Sequence, residues 1–114
     1  MVIIRMKRFK VYHSKRFDSE LSNFDKEFQD RVDKIEDNLI VNPYAGDPIG
    51  TKWFREKRIN GKRVYFLIYE NLDSVLMVAI SDKKDQQKVI NTIKLLLDFF
   101  REEIVNLVNK EDLT

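Results

Sequence analysis

The chain reads as an α+β domain: a small, twisted, mostly antiparallel sheet with an N-terminal helical hairpin on one face and a long C-terminal helix. Three observations predict this. Asn60-Gly61 separates two β-prone runs, the strongest short-range hairpin signal, because a type I′ turn needs two positive φ angles. Apolar residues recur at helical spacing before residue 40 and again after residue 88. Val75-Leu76-Met77-Val78-Ala79-Ile80 is apolar on both faces, as a central strand is.

The elements follow in order. Residues 8–13 alternate, with Phe9 and Val11 on one side, and read as a strand. Met6 stands at its opening and is a second candidate for the first residue of the natural product. Ser14 is an N-cap for a short helix whose stripe is Phe17, Leu21 and Phe24. Asp25 caps a second helix with Phe28, Val32, Ile35 and Leu39 on one face and charged residues on the others. Asn42-Pro43 stops it, because the residue before Pro avoids the α region. Residues 44–48 are rich in turn formers and read as a loop. Strands follow over 52–59, 62–70 and 75–80. From Asp82 the pattern turns helical, and Val89, Ile93, Leu96/Leu97, Phe100, Ile104 and Leu107/Val108 make one stripe. A single helix of about 26 residues is roughly 39 Å long, more than a domain of this size needs. Its distal half is therefore expected to lack an intramolecular surface and to seat a second copy or a partner helix. No repeat or linker divides the chain, and 114 residues suit one domain over 1–114.

Composition excludes several chemistries. With no Cys there is no thiol catalysis, disulfide or Cys-ligated metal, and one His makes a His-rich metal site untenable. Neither a metal nor a cofactor is expected. No apolar run approaches the ~18 residues of a membrane span, and Met1–Ile4 is too short for a signal peptide. A cytoplasmic protein is the expectation. The net charge of +2 hides a mosaic: +6 over residues 1–16, −5 over 17–41, +4 over 42–63 and −3 over 64–82. Two basic blocks brought together would suit an anionic partner.

The turn fixes a register. A two-residue turn pairs Ile59 with Lys62, Arg58 with Arg63, Glu56 with Tyr65, Phe54 with Leu67 and Lys52 with Tyr69. Val64, Phe66 and Ile68 form the core face, with Trp53 among the residues opposite and expected in the core. The other face holds Lys52, Glu56, Arg58, Arg63, Tyr65 and Tyr69. Opposed arginines repel unless an anion or Glu56 sits between them, which is either a phosphate-binding arrangement with a candidate base beside it or a solvated sheet face carrying a Glu56–arginine ion pair. Tyr65 and Tyr69 offer rings on which bases stack. Lys83 and Lys84 open the last helix, where the macrodipole disfavours cations, a conflict that points to an anion. His13, at a strand end beside a helix cap, reads as a packed or solvated residue.

Over residues 8–88 the sequence resembles the RelE/ParE superfamily of type II toxins, on three local features. Ser14-Lys15-Arg16-Phe17 looks like the family's first strand-to-helix junction. Asn42-Pro43-Tyr44-Ala45-Gly46-Asp47-Pro48-Ile49 is similar to its NP-x-x-G loop, and residues 57–65 to its R-x-x-G-x-YR hairpin. The C-terminal helix, about 83–110, extends beyond the match. The resemblance implies a RelE-like toxin neutralised by an antitoxin protein. In the nuclease branch such toxins cut mRNA on the ribosome. Arg63 and Arg58 would hold phosphate, Glu56 would act as base, and Lys83 or Lys84 would replace an arginine that members carry after the last strand. Lys52, Tyr65 and Tyr69 would contact RNA. No Tyr or His follows Tyr69, where nuclease members often have one. The resemblance also admits a ParE-like toxin that binds a protein such as DNA gyrase without catalysis, or a diverged, inactive binding module.

Overall fold

The structure, a computed structural model, describes residues 7–113. Met6 and the residues before it lie outside the described residues. The element order is β1 (Lys10–His13), α1 (Lys15–Leu21), α2 (Lys26–Val41), β2 (Asp47–Ile49), β3 (Thr51–Ile59), β4 (Lys62–Tyr69), β5 (Ser74–Asp82), α3 (Gln86–Leu95) and α4 (Leu97–Asp112). The five strands form one sheet in the order β1-β5-β4-β3-β2. All neighbours are antiparallel except β1, which runs parallel to β5. The apolar run at 75–80 is central, as expected. The 44–48 loop is corrected in part: Asp47–Ile49 adds an edge strand, where Pro48 costs no ladder hydrogen bond.

Both expected caps form. Ser14 Oγ accepts from the Phe17 N–H at 3.0 Å, and the Asp25 carboxylate accepts from the Phe28 N–H at 2.9 Å. Asn60 and Gly61 both have positive φ, at 47° and 76°, so the hairpin turn is built as the dipeptide demands. The register is the expected one from Ile59–Lys62 through Arg58–Arg63 and Glu56–Tyr65 to Phe54–Leu67.

The sheet is covered on both faces. Phe17, Phe28, Val32 and Leu39 of the helical hairpin pack on Val64, Phe66, Ile68 and Met77. On the other face, Ile90, Ile93, Phe100 and Ile104 pack on Phe54, Tyr65, Leu67, Leu76 and Val78. This corrects the expectation of a C-terminal stripe with a partnerless distal half. Phe100 and Ile104 are fully buried, and Leu107 and Val108 pack against the same cluster. The single long helix is corrected too. It breaks at Leu96, whose φ and ψ of −103° and 13° leave the helical region. Strand β5, at nine residues, spans only ~30 Å. A straight 39 Å rod would overshoot the sheet, and the break lets α4 run to the β1 edge. There Glu111 accepts from Lys10 Nζ at 2.8 Å and from the Tyr12 hydroxyl, and Glu103 accepts the Lys15 N–H at 2.7 Å.

Trp53 is not in the core: it is 42 % exposed. Its strand neighbour Arg55 shows why, since Arg55 donates to the carbonyls of Gly46, Tyr44 and Lys52, each at 2.9 Å, and ties down the chain before β2 instead of meeting a helix. Gly46 lets that chain close in. A Cβ there would stand 2.7 Å from Phe66 Cζ and 2.9 Å from the Glu56 carbonyl oxygen. Gly46→Ala is expected to destabilise the fold by about 1–3 kcal/mol through overpacking, read as a lower urea midpoint. An unchanged midpoint would remove this account of the glycine.

His13 joins β1 to both N-terminal helices. Nδ1 lies 2.6 Å from Asp18 Oδ1, and Nε2 lies 2.7 Å from Glu36 Oε2. Burial pulls the imidazole pKa down. The hydrogen bond and charge of Glu36, then those of Asp18, outweigh it and raise the pKa from 6.5 to about 9. Because the folded value is raised, this stabilisation is complete below pH 6.5 and fades as pH climbs through about 9. Thermal melts across that window should show a decline that His13→Gln flattens. An equal decline in the variant would assign the pH dependence elsewhere.

Candidate functional site

The site assembles at the turn end of the hairpin, where β3, β4 and β5 meet the start of α3. Arg58 pairs directly with Arg63 across the strands, and Arg63 pairs with Ser81 on its other side. Glu56 lies two residues along β3 on the same face, opposite Tyr65. The sequence register thus brings Glu56, Arg58 and Arg63 together as expected.

Their environments differ sharply. The Arg58 side chain is mostly exposed, and its Nε stands 4.0 Å from Glu56 Oε1. Glu56 is 5 % exposed and accepts from Gln86 Nε2 at 3.2 Å, so the first turn of α3 lies over it. Arg63 is 6 % exposed. Its Nε is buried without a hydrogen-bond partner, and no carboxylate among the described residues pairs with its guanidinium. A buried cation without a counter-ion is costly, and it is held here by the strands on either side. Such a group stabilises an anion that arrives, with a fork suited to two phosphate oxygens.

Tyr65 is fully buried, and its hydroxyl sits 2.8 Å from Ser81 Oγ. Burial raises its pKa above the ordinary phenol value. It has no face to offer a nucleobase; its place is the floor of the site. Lys83 and Lys84 are exposed in the turn between β5 and α3, ahead of the helix rather than in its first turn. The Asp85 N–H in that turn donates to Asp82 Oδ1 at 2.9 Å. No hydrogen bond or ion pair joins either lysine to Glu56 or the arginines.

Lys52 and Tyr69 are not part of this cluster. Six residues along β4 separate Tyr69 from Arg63, about 20 Å of strand. Both line a cleft at the opposite end of the hairpin. The expected single face is therefore two sites, because α3 and α4 cover the sheet between them. Gln86 and Ser81 are the partners that sequence reasoning did not reach. Ser81 was accessible from register, being two residues beyond Ala79, which pairs with Tyr65. Among the described residues no group of His, Asp and Glu is arranged to hold a metal ion, and no helix is long and apolar enough to cross a membrane.

No protein-family model matches the chain, and no curated protein sequence matches it. Solved structures do. A free form of the Escherichia coli toxin RelE, carrying two arginine-to-alanine substitutions, superposes with a TM-score of 0.67 at 10% identity, covering 78% of this chain and 98% of that one. The RelBE2 toxin–antitoxin complex of Mycobacterium tuberculosis gives 0.59 at 14% identity, covering 67% and 99%. The intact E. coli RelBE complex gives 0.59 at 12%, covering 65% and 95%. At these identities what is shared is architecture, down to nearly the full length of the matched chains: this chain has the RelE toxin fold.

Proposed function

We propose that this chain is the toxin of a toxin–antitoxin pair and that it cleaves mRNA on the ribosome. The observation that carries the reading is Arg63: a preplaced guanidinium with unused hydrogen-bonding capacity, set between Arg58 and Ser81 and beside Glu56. The chemistry this arrangement suits is in-line attack of an RNA 2′-oxygen on its own 3′-phosphate. Glu56 takes the 2′-hydroxyl proton as the oxygen–phosphorus bond forms. Arg58 and Arg63 hold the non-bridging oxygens and stabilise the charge that builds on them. The bond to the 5′-oxygen breaks, leaving a 2′,3′-cyclic phosphate, and the leaving oxygen takes a proton from Lys83 or Lys84. Glu56 serves as base once Gln86 releases it, so the start of α3 moves when RNA enters. The solved RelBE complexes pair a toxin of this fold with an antitoxin, and a second protein is the partner proposed here.

The test adds purified protein to a reconstituted translation reaction and maps mRNA 5′ ends by primer extension, with a ribosome-free control. New ends that require ribosomes support the proposal. Intact message at micromolar protein refutes it. The burial of Glu56 under Gln86 favours one second reading, a non-enzymatic toxin that grips a protein target such as DNA gyrase. Intact message together with capture of such a target is the outcome that reading requires.

A further inference from the structure

A cleft of about 470 Å³ opens at the far end of the hairpin from Arg63, between the start of β3, the end of β4 and the first turns of α4. Its volume is that of a small-ligand site. Its chemistry comes from Tyr44, Lys52, Trp53, Tyr69, Asp98 and Arg101. Trp53 keeps 42 % of its surface in water, a large ring that the core does not use. Glu70, also in the wall, is already held by Lys7 at 2.7 Å and by the Tyr44 hydroxyl. That leaves Lys52 and Arg101 against Asp98, a cationic balance.

Asp98 and Arg101 stand three residues apart on α4 and so share one helix face. Neither side chain makes a hydrogen bond or ion pair with any described residue. One presents two acceptors and the other a fork of donors. Guanine matches both. Its O6 and N7 accept from an arginine fork. Its N1–H and N2–H donate side by side to a carboxylate, a pairing no other RNA base provides. Aromatic walls stack on a base of any kind.

We propose that this cleft is a guanine subsite for single-stranded RNA. The base stacks against Trp53 and Tyr69, Asp98 accepts from N1–H and N2–H, and Arg101 donates to O6 and N7. Lys52, whose Nζ lies 5.0 Å from the centre of the Tyr44 ring, faces the attached phosphate. The aromatic side chain of a partner protein would use the rings but leave the carboxylate and guanidinium unmatched, so the nucleobase is the favoured occupant. The inference rests on reading this chain as an RNA-directed toxin, and its test is independent of cleavage.

Trp53 is the only tryptophan, so its fluorescence reports on the cleft alone. The full chain is titrated with GMP, AMP, CMP and UMP. GMP is expected to quench Trp53 saturably, with at least about tenfold weaker binding of the others. Asp98→Asn should remove the preference, and Arg101→Ala should weaken GMP. Quenching by all four alike, quenching that Asp98→Asn leaves unchanged, or no quenching at millimolar nucleotide would each overturn the proposal. So would quenching by an N-acetylated tyrosine amide and by no nucleotide, which gives the cleft to a protein side chain. GMP binding with uncut message removes the nuclease reading and keeps the subsite. Ribosome-dependent cuts without quenching do the reverse.

Discussion

Arg63→Met is expected to abolish cleavage of ribosome-bound mRNA while leaving the protein at least as stable as the wild type. Removing a preorganised donor to developing negative charge costs about 10²–10³ in rate, and losing the whole fork should reach the upper end. Stability should move the other way. Met keeps the unbranched stem that packs between β3 and β5 and discards a buried Nε that has no partner. Replacing buried charge by well-packed apolar groups is often worth 1–4 kcal/mol, and about 1 kcal/mol is expected here because the arginine keeps some contact with water. An ordinary core or ion-pair residue would lose stability and activity together. A lower urea midpoint for Arg63→Met would show that the guanidinium holds the fold together.

Phe100→Ala should be strongly destabilising, at about 3–5 kcal/mol. The ring is fully buried and sits in the middle of the α4 stripe, between Ile93 on α3 and Ile104 one turn further on. Together they fix α4 to Leu67, Leu76 and Val78, and the exposed Phe99 beside it cannot substitute. Against a total of about 5–15 kcal/mol for a domain, such a loss removes from a fifth to nearly all of the stability. Because Leu97, Asp98 and Arg101 belong to the same helix, nucleotide quenching of Trp53 should also weaken in proportion to the unfolded fraction. A loss under about 1 kcal/mol would mean that the cavity collapses and that α4 is held mainly by its polar ties to β1.

Much of this was legible in the chain because local chemistry forces it. Asn60-Gly61 admits one turn geometry, that geometry admits one register, and the register alone opposes Arg58 to Arg63 and sets Glu56 on their face. Ser14 and Asp25 announced the two N-terminal helices for the same reason. What escaped depends on distant packing. Helical periodicity tells which residues of 86–112 are buried, but not which sheet face they bury against, so the covering of Tyr65 and the contact of Gln86 with Glu56 could not be read. Alternation placed Trp53 on a face without telling that it lines an open cleft there instead of packing into the core. The break at Leu96 has no Gly or Pro to mark it. Its cause is the finite length of the sheet, a property of the assembled fold.

The central claim is that Arg63 is a phosphate seat and not a structural residue. It is tested most directly by measuring single-turnover cleavage of ribosome-bound mRNA by wild type and Arg63→Met side by side, with urea melts on the same samples. The account requires ribosome-dependent cuts from the wild type, a loss of about 10²-fold or more in the variant, and a midpoint that stays level or rises. Equal rates from the two proteins, or a variant that loses its activity only because it unfolds, would contradict it.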